Sequence, residues 1–326
     1  MSLKNFVTGL VATATLAFAA PAMAGSVKIA LDSPPSMEKS GTYVWAHTFS
    51  EYLKKHNIDA EEFERGALGG EAERLDQVSQ GLLEVSMSDL KSAGRLDGTI
   101  FGVIMPYFFK DSEEVDKALS TGGMLAQINK GTTAQGVRVL DVVYLGGPAG
   151  IFTTKKAVNN VKDMADLRMR ALDEAQISIF EAWGSQGTIV SWSEVPNALQ
   201  TGVADGYLNP AFVPLIFGHT GFIKHFTDAR VVASSRIAIV SEDWYQGLSE
   251  NDRKIVDDAA AAAHAANRAW VKGQDAVLEQ LEAAGIKVVR LGEKERNEFR
   301  DLSKGIYEKM PMPKGALEAW KKAIGR

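Results

Sequence analysis

Asp166-Leu167-Arg168-Met169-Arg170, then Val190-Ser191-Trp192-Ser193-Glu194-Val195-Pro196-Asn197-Ala198-Leu199-Gln200-Thr201-Gly202-Val203-Ala204-Asp205-Gly206, then Asn209-Pro210, is the stretch whose reading decides the fold. It reads as a strand ending in an arginine, a helix, and a second strand that leaves an Asp-Gly turn and ends at Asn-Pro. Such a unit can set a guanidinium fork and an amide on one side of a cleft, with an aromatic between them. A carboxylate is held in that way.

Upstream the same alternation recurs. Ser26 to Leu31 alternates as a strand, and Tyr43 to Lys55 carries Val44, Phe49, Tyr52 and Leu53 at helical spacing. Ala60 to Phe63 reads as a strand, Glu71 to Gln80 as a helix, and Val85 to Met87 as a third strand. Strand alternating with helix predicts an α/β layer of parallel strands, with ligands at their carboxyl ends. Ser33-Pro34-Pro35 and Ser88-Asp89-Leu90-Lys91 follow strands and are therefore rim loops. A second α/β unit begins near Phe152 and runs to about Val232, after which Arg236 to Val240 reads as a returning strand. Ser249 starts a helix with acidic residues in its first turn. The alanine-rich run beyond it continues to Ala284 and stops at Gly285, so a single helix of about 35 residues, roughly 50 Å, is expected to cross both lobes.

Composition narrows the class. The 326 residues carry a formal charge of -5, which argues against a nucleic-acid partner. There is no cysteine, so thiolate chemistry and zinc-thiolate sites are excluded. Lys4, the apolar run Phe6 to Ala20 and Ala22-Met23-Ala24 read as a signal peptide cleaved after Ala24, with export to the periplasm. The five histidines make no H-E-x-x-H pair, Gly69-Gly70 lacks phosphate-loop spacing, and there is no G-x-S-x-G elbow. No catalytic residue, metal ligand or cofactor is assigned.

The quoted stretch resembles the extracytoplasmic solute-binding proteins of tripartite ATP-independent periplasmic (TRAP) transporters. Leu68-Gly69-Gly70-Glu71, Val78-Ser79-Gln80-Gly81, Met105-Pro106-Tyr107-Phe108-Phe109 and Leu248-Ser249 extend the likeness over nearly the whole chain after residue 24. The resemblance implies a two-lobed α/β periplasmic binding protein fold with a cleft between the lobes. It implies a small organic carboxylate as ligand, TRAP membrane permease subunits as partners, and no enzymatic activity; a monomer is expected. Residues 25–149 with about 236–275 are assigned to the first lobe, and 150–235 with about 276–326 to the second.

Each candidate residue has two readings. Taken alone, Arg170 is either an ion-pair partner of Glu174 or Glu194 or a ligand clamp; the resemblance puts it on the family's motif arginine and implies the clamp. Asn209 is a turn residue or, by resemblance, the amide facing that arginine. Trp192, Tyr207 and Phe212 are core or pocket wall. Asp89 and Lys91 are a surface pair, or a hydroxyl acceptor and a second charge in the cleft, and Ser33 is a rim contact. Arg168 is read as a surface residue. Many relatives carry a second arginine where Gly146-Gly147-Pro148-Ala149-Gly150-Ile151 has none, which points to a monocarboxylate. The rival functions are a binding protein of another importer class and a periplasmic α/β enzyme. Export with cleavage after Ala24 predicts an exported chain whose intact mass begins at Gly25; a mass that includes Met1 would refute that site.

Overall fold

The computed structural model describes residues 25–274 and 276–326; the signal-peptide assignment lies outside them. The chain lays down β1 (Val27–Ala30), β2 (Ala60–Phe63), β3 (Val85–Ser88) and β4 (Val137–Pro148), then passes through Ala149 into β5 (Gly150–Thr153). It continues through β6 (Arg168–Ala171), β7 (Gln186–Ile189), β8 (Gly206–Asn209) and β9 (His225–Asp228), and returns as β10 (Ala233–Ser241) before a last strand, β11 (Lys287–Arg290). Two sheets result, in the orders β2-β1-β3-β10-β4 and β11-β9-β5-β8-β6-β7, one per lobe.

The expected parallel strands are present at β1, β2 and β3 and at β6, β7 and β8. The strands nearest the crossings are antiparallel instead: β10 to both β3 and β4, and β5 to both β8 and β9. The reason is topological. A chain that leaves a lobe along one strand and returns beside it must run in opposite directions on the two passes. The crossing is tied by backbone bonds from Ala149 N to Val232 O (2.8 Å) and from Val231 N to Ala149 O (2.9 Å). Tyr107 joins this hinge from the first lobe, its N donating to Val231 O (2.8 Å) and its hydroxyl to Ala229 O (3.0 Å). It does so in the left-handed region, at φ 56°, which a bulky residue adopts only under such constraint.

Each sheet is covered on both faces, and alternation along the strands sorts side chains between them. In the first lobe Val142, Ile237 and Ile239 face one layer, while Val143, Ala238 and Val240 face the layer built with Trp45, Phe49 and Val256. Helix Gly41–Lys55 starts at Ser40, whose Oγ accepts from Tyr43 N. It presses close to β4: a Cβ on Gly41 would lie 2.4 Å from Tyr144 O.

The alanine-rich run departs from expectation. It forms helix Glu250–Lys272, stops at Gly273, and resumes as helix Val277–Ala283. The first piece packs on the first lobe through Val256, Ala259 and Ala263, and the second enters the second lobe with Leu281. The run therefore passes between the lobes in two segments, the first capped at Gly273, whose N donates to Trp270 O. The end of the chain also departs. Met310 and Trp320 bury in the first-lobe core, and Trp320 Nε1 donates to Thr99 O at 2.8 Å. The amphipathic helix Ala316–Ala323 thus belongs to the first lobe, whereas sequence reading assigns it to the second.

Asn267, fully buried on helix Glu250–Lys272, holds that helix to the rest of its lobe. Its Nδ2 donates to Gly41 O and Tyr144 O (both 2.8 Å), and its Oδ1 accepts from Tyr144 N at 3.0 Å. Asn267→Ala takes the partner from two buried backbone groups, Tyr144 N and Tyr144 O, while Gly41 O keeps its bond within the helix, and unpaired buried groups cost about 1–3 kcal/mol each. A loss of about 3 kcal/mol in urea unfolding is expected; a loss under about 1 kcal/mol would show that the helix is held by apolar packing alone.

Candidate functional site

The carboxyl ends of β1, β2 and β3 in one lobe and of β6, β7 and β8 in the other converge on a cleft of about 800 Å³. Its first-lobe wall includes Asp32 and Ser33 after β1, Arg65 after β2, and Asp89 and Lys91 after β3. Its second-lobe wall includes Arg170 from β6, Val190 and Trp192 after β7, and Asn209 from β8. Six basic and three acidic side chains line it, an excess of three positive charges.

Arg170 is buried, and its Nε donates to Val190 O at 2.9 Å. Neither Glu174 nor Glu194 pairs with it; the Glu194 carboxylate accepts from Ser191 Oγ instead. Among the described residues its terminal nitrogens have no partner. Burial pushes its pKa down to about 10, opposed by the charges of Asp173 and Asp89. A desolvated guanidinium with free donors calls for an anion. It stands 5.7 Å from the centre of the Trp192 ring. The Asn209 amide, at the end of the neighbouring strand, also has no hydrogen-bond partner among the described residues.

The other candidates divide. Phe212 lines the cleft, its ring nearly perpendicular to that of Trp270 with centres 6.4 Å apart. Ser33 lines it as part of a hydroxyl cluster with Ser40 (2.6 Å) and Thr42 (3.0 Å). Asp89 reaches it with one oxygen committed, since Oδ1 caps helix Leu90–Gly94 through Ser92 N at 2.7 Å. Lys91 does not pair with Asp89; its Nζ donates across the cleft to Leu172 O at 3.2 Å. Tyr207 is a correction. It is wholly buried behind Trp192, ring centres 5.9 Å apart, with its hydroxyl 3.1 Å from His219 Nδ1, so it supports the wall without lining it.

Sequence reading missed Arg236 and its cluster. Arg236 Nε donates to Asp32 at 2.6 Å, and its Nη2 pairs with Glu71. Burial disfavours this guanidinium's charge, but Glu71 and Asp32 outweigh it and raise its pKa. Burial likewise disfavours the Glu71 carboxylate, and Arg236 with Arg74 more than compensates, lowering its pKa. No local signal could have revealed this, because Asp32 lies 204 positions from Arg236. Asp205 of the quoted stretch is structural: its Oδ2 accepts from Arg168 N (2.9 Å), and its Oδ1 lies 2.6 Å from Lys155 Nζ. Gly206 is required there, since a Cβ would lie 2.0 Å from Phe152 O. Among the described residues no three His, Asp or Glu side chains gather as a metal site would need.

Residues 31–312 match the family described as bacterial extracellular solute-binding protein, family 7 (DctP). The chain belongs to that family. It is 25% identical over 278 residues to the ectoine-binding periplasmic protein TeaA of Halomonas elongata, covering 82% of this chain and 80% of the relative. It is 24% identical over 275 residues to the sialic acid-binding periplasmic protein SiaP of Vibrio cholerae, covering 84% of each. Among solved structures, a TRAP periplasmic solute-binding protein from Polaromonas sp. JS666 bound to D-erythronate matches with a TM-score of 0.82 at 25% identity, over 91% of this chain and 97% of that one. The ectoine-binding protein of the Halomonas elongata TeaABC TRAP transporter matches at 0.83 and 22% identity, over 92% and 99%. The family and two-lobed α/β fold implied by the sequence motifs are those of this chain.

His219 gives a pH test of the wall behind Trp192. Burial pulls its pKa down to about 4, against about 6.5 unfolded. The unfolded chain therefore binds the extra proton between those values, so this stability is full above about pH 6.5 and is lost as pH falls toward 4. Wild type should lose more stability than His219→Gln between pH 7 and pH 4.5 in urea titrations. Equal losses would mean that His219 is hydrated when folded.

Proposed function

We propose that this chain is the periplasmic capture component of a TRAP-type secondary transporter. It closes around a small organic carboxylate and delivers it to membrane permease subunits, acting as a monomer after removal of residues 1–24. The observation that carries this reading is Arg170: a buried guanidinium with unpartnered terminal nitrogens at the converging strand ends, one strand from the Asn209 amide. The carboxylate sits on Arg170, Asn209 bonds the same end of the ligand, and Trp192 with Phe212 packs against its body. Ligands of related proteins support the class, from ectoine and sialic acid to D-erythronate.

A single carboxylate is favoured. Arg236 is neutralised by Asp32 and Glu71, Arg74 is held by Ser86 Oγ with the carbonyls of Gly69 and Met87, and the Lys91 ammonium is on Leu172 O. Arg65 and Arg95 are exposed. Arg170 is then the buried cation available to a ligand, and an unpaired second carboxylate would cost several kcal/mol to bury.

Thermal-shift screening against a carboxylate library should find a ligand, since one present at 100 times its Kd adds about 2.7 kcal/mol of stability. Arg170→Lys replaces a fork with a point charge, and calorimetry should show about 2 to 4 kcal/mol of lost affinity with the fold retained. Unchanged affinity would remove Arg170 from the site.

A further inference from the structure

Lys91 is the second residue of a short helix fixed at the first-lobe rim. Asp89 caps that helix through Ser92 N and Ser92 Oγ, and Leu90 and Ala93 anchor it in the first-lobe core. The side chain therefore starts from a rigid point. Its ammonium ends on Leu172 O at 3.2 Å, in the opposite lobe. That carbonyl belongs to a residue which is itself held: Leu172 N donates to Gln176 Oε1 at 2.8 Å, and Gln176 N donates to the cap residue Asp173 at 3.0 Å. Leu172 also lies two residues beyond Arg170, just past the end of the same strand. Among the described residues this is the side-chain hydrogen bond that joins the two walls of the cleft.

A hydrogen bond between lobes that uses no ligand atom stabilises the closed arrangement by itself. A ligand's apparent affinity is its intrinsic affinity scaled by the fraction of protein able to hold it, so any contact that raises the closed fraction raises the affinity for every ligand alike. A ligand contact behaves differently: removing it weakens only those ligands that use it.

We propose that Lys91 is a positioning residue, a latch that draws the lobes together and steadies the strand end carrying Arg170, rather than a second charge that binds the ligand. The neighbouring charges fit this role. Asp89 on the same rim faces Arg170 and opposes the fall in its pKa, so the first lobe presents both a carboxylate toward the guanidinium and an ammonium toward the carbonyl beyond it. The cross-lobe contact of Arg65 with Phe217, 5.8 Å from cation to ring centre, lies at an exposed rim where water competes with it.

The test has one arm that needs no ligand. The absence of cysteine lets spin labels be introduced singly, at the exposed positions Lys55→Cys in one lobe and Glu181→Cys in the other. In ligand-free protein, Lys91→Met should move the inter-label distance distribution away from that of the closed form, and Lys91→Arg, which keeps a donor to the carbonyl, should restore part of it. An unchanged distribution in Lys91→Met overturns the latch. The second arm rests on the carboxylate-capture reading. Adipate and 6-hydroxyhexanoate, with whichever library acids bind, are titrated against wild type and Lys91→Met. A common loss of about five- to tenfold for every acid that binds is expected. A loss confined to diacids overturns the latch and makes Lys91 a ligand contact. If no acid binds wild type, the capture reading fails while the distance arm still decides the latch.

Discussion

Two backbone hydrogen bonds between Ala149 and the Val231–Val232 segment govern what this molecule can do. They keep the outgoing and returning strands side by side at the place where the chain changes lobe. Paired strands resist sliding and resist separation, but they twist and bend readily about their shared axis. A rotation of one lobe against the other would leave these bonds in place, and Tyr107, bonded to both Ala229 and Val231, ties a first-lobe loop to that axis. Such a rotation would change the distance between Arg170 and the first-lobe rim.

The walls themselves are asymmetric. On the first-lobe side, Asp32, Glu71, Arg74 and Arg236 form an internally paired cluster with two charges of each sign, while Arg65, Lys91 and Arg95 against Asp89 leave that wall with a net positive charge. On the second-lobe side, Arg170 is desolvated and incompletely bonded. A binding site built this way places its buried, incompletely bonded cation on one wall and its paired charges on the other. Ordering a ligand then relieves a burden the folded protein already carries, and the first lobe need not rearrange to meet it.

What the sequence disclosed, and what it hid, follows from the range of each interaction. The strand–helix–strand unit from Asp166 to Asn209 was legible because its strand, cap and turn signals are local and because rim loops follow from parallel strand ends. Arg170 was legible as an arginine at such an end. Tyr207 was not placed, because alternation along β8 sets its face but not how deeply Trp192 covers it. Arg236 escaped because its partners are far along the chain. The alanine-rich run misled because helical composition on both sides of Gly273 outweighed, in the reading, the local stop signal that this glycine carries. Trp320 was assigned to the wrong lobe for a different reason: an amphipathic helix declares that it will bury one face, not which core will receive it.

The return of the terminal helix to the first lobe has a mechanical consequence. Strand β1 and helix Ala316–Ala323 lie in the same body, and the second lobe is threaded entirely from internal segments that enter and leave it twice. A pull applied between Val27 and Ala323 is therefore borne by the first lobe, and the second hangs from it like a jaw. Anchoring the protein to a surface or a fusion partner through the end of helix Ala316–Ala323 leaves the second lobe unloaded, whereas a graft into the second lobe would load the connections between the lobes.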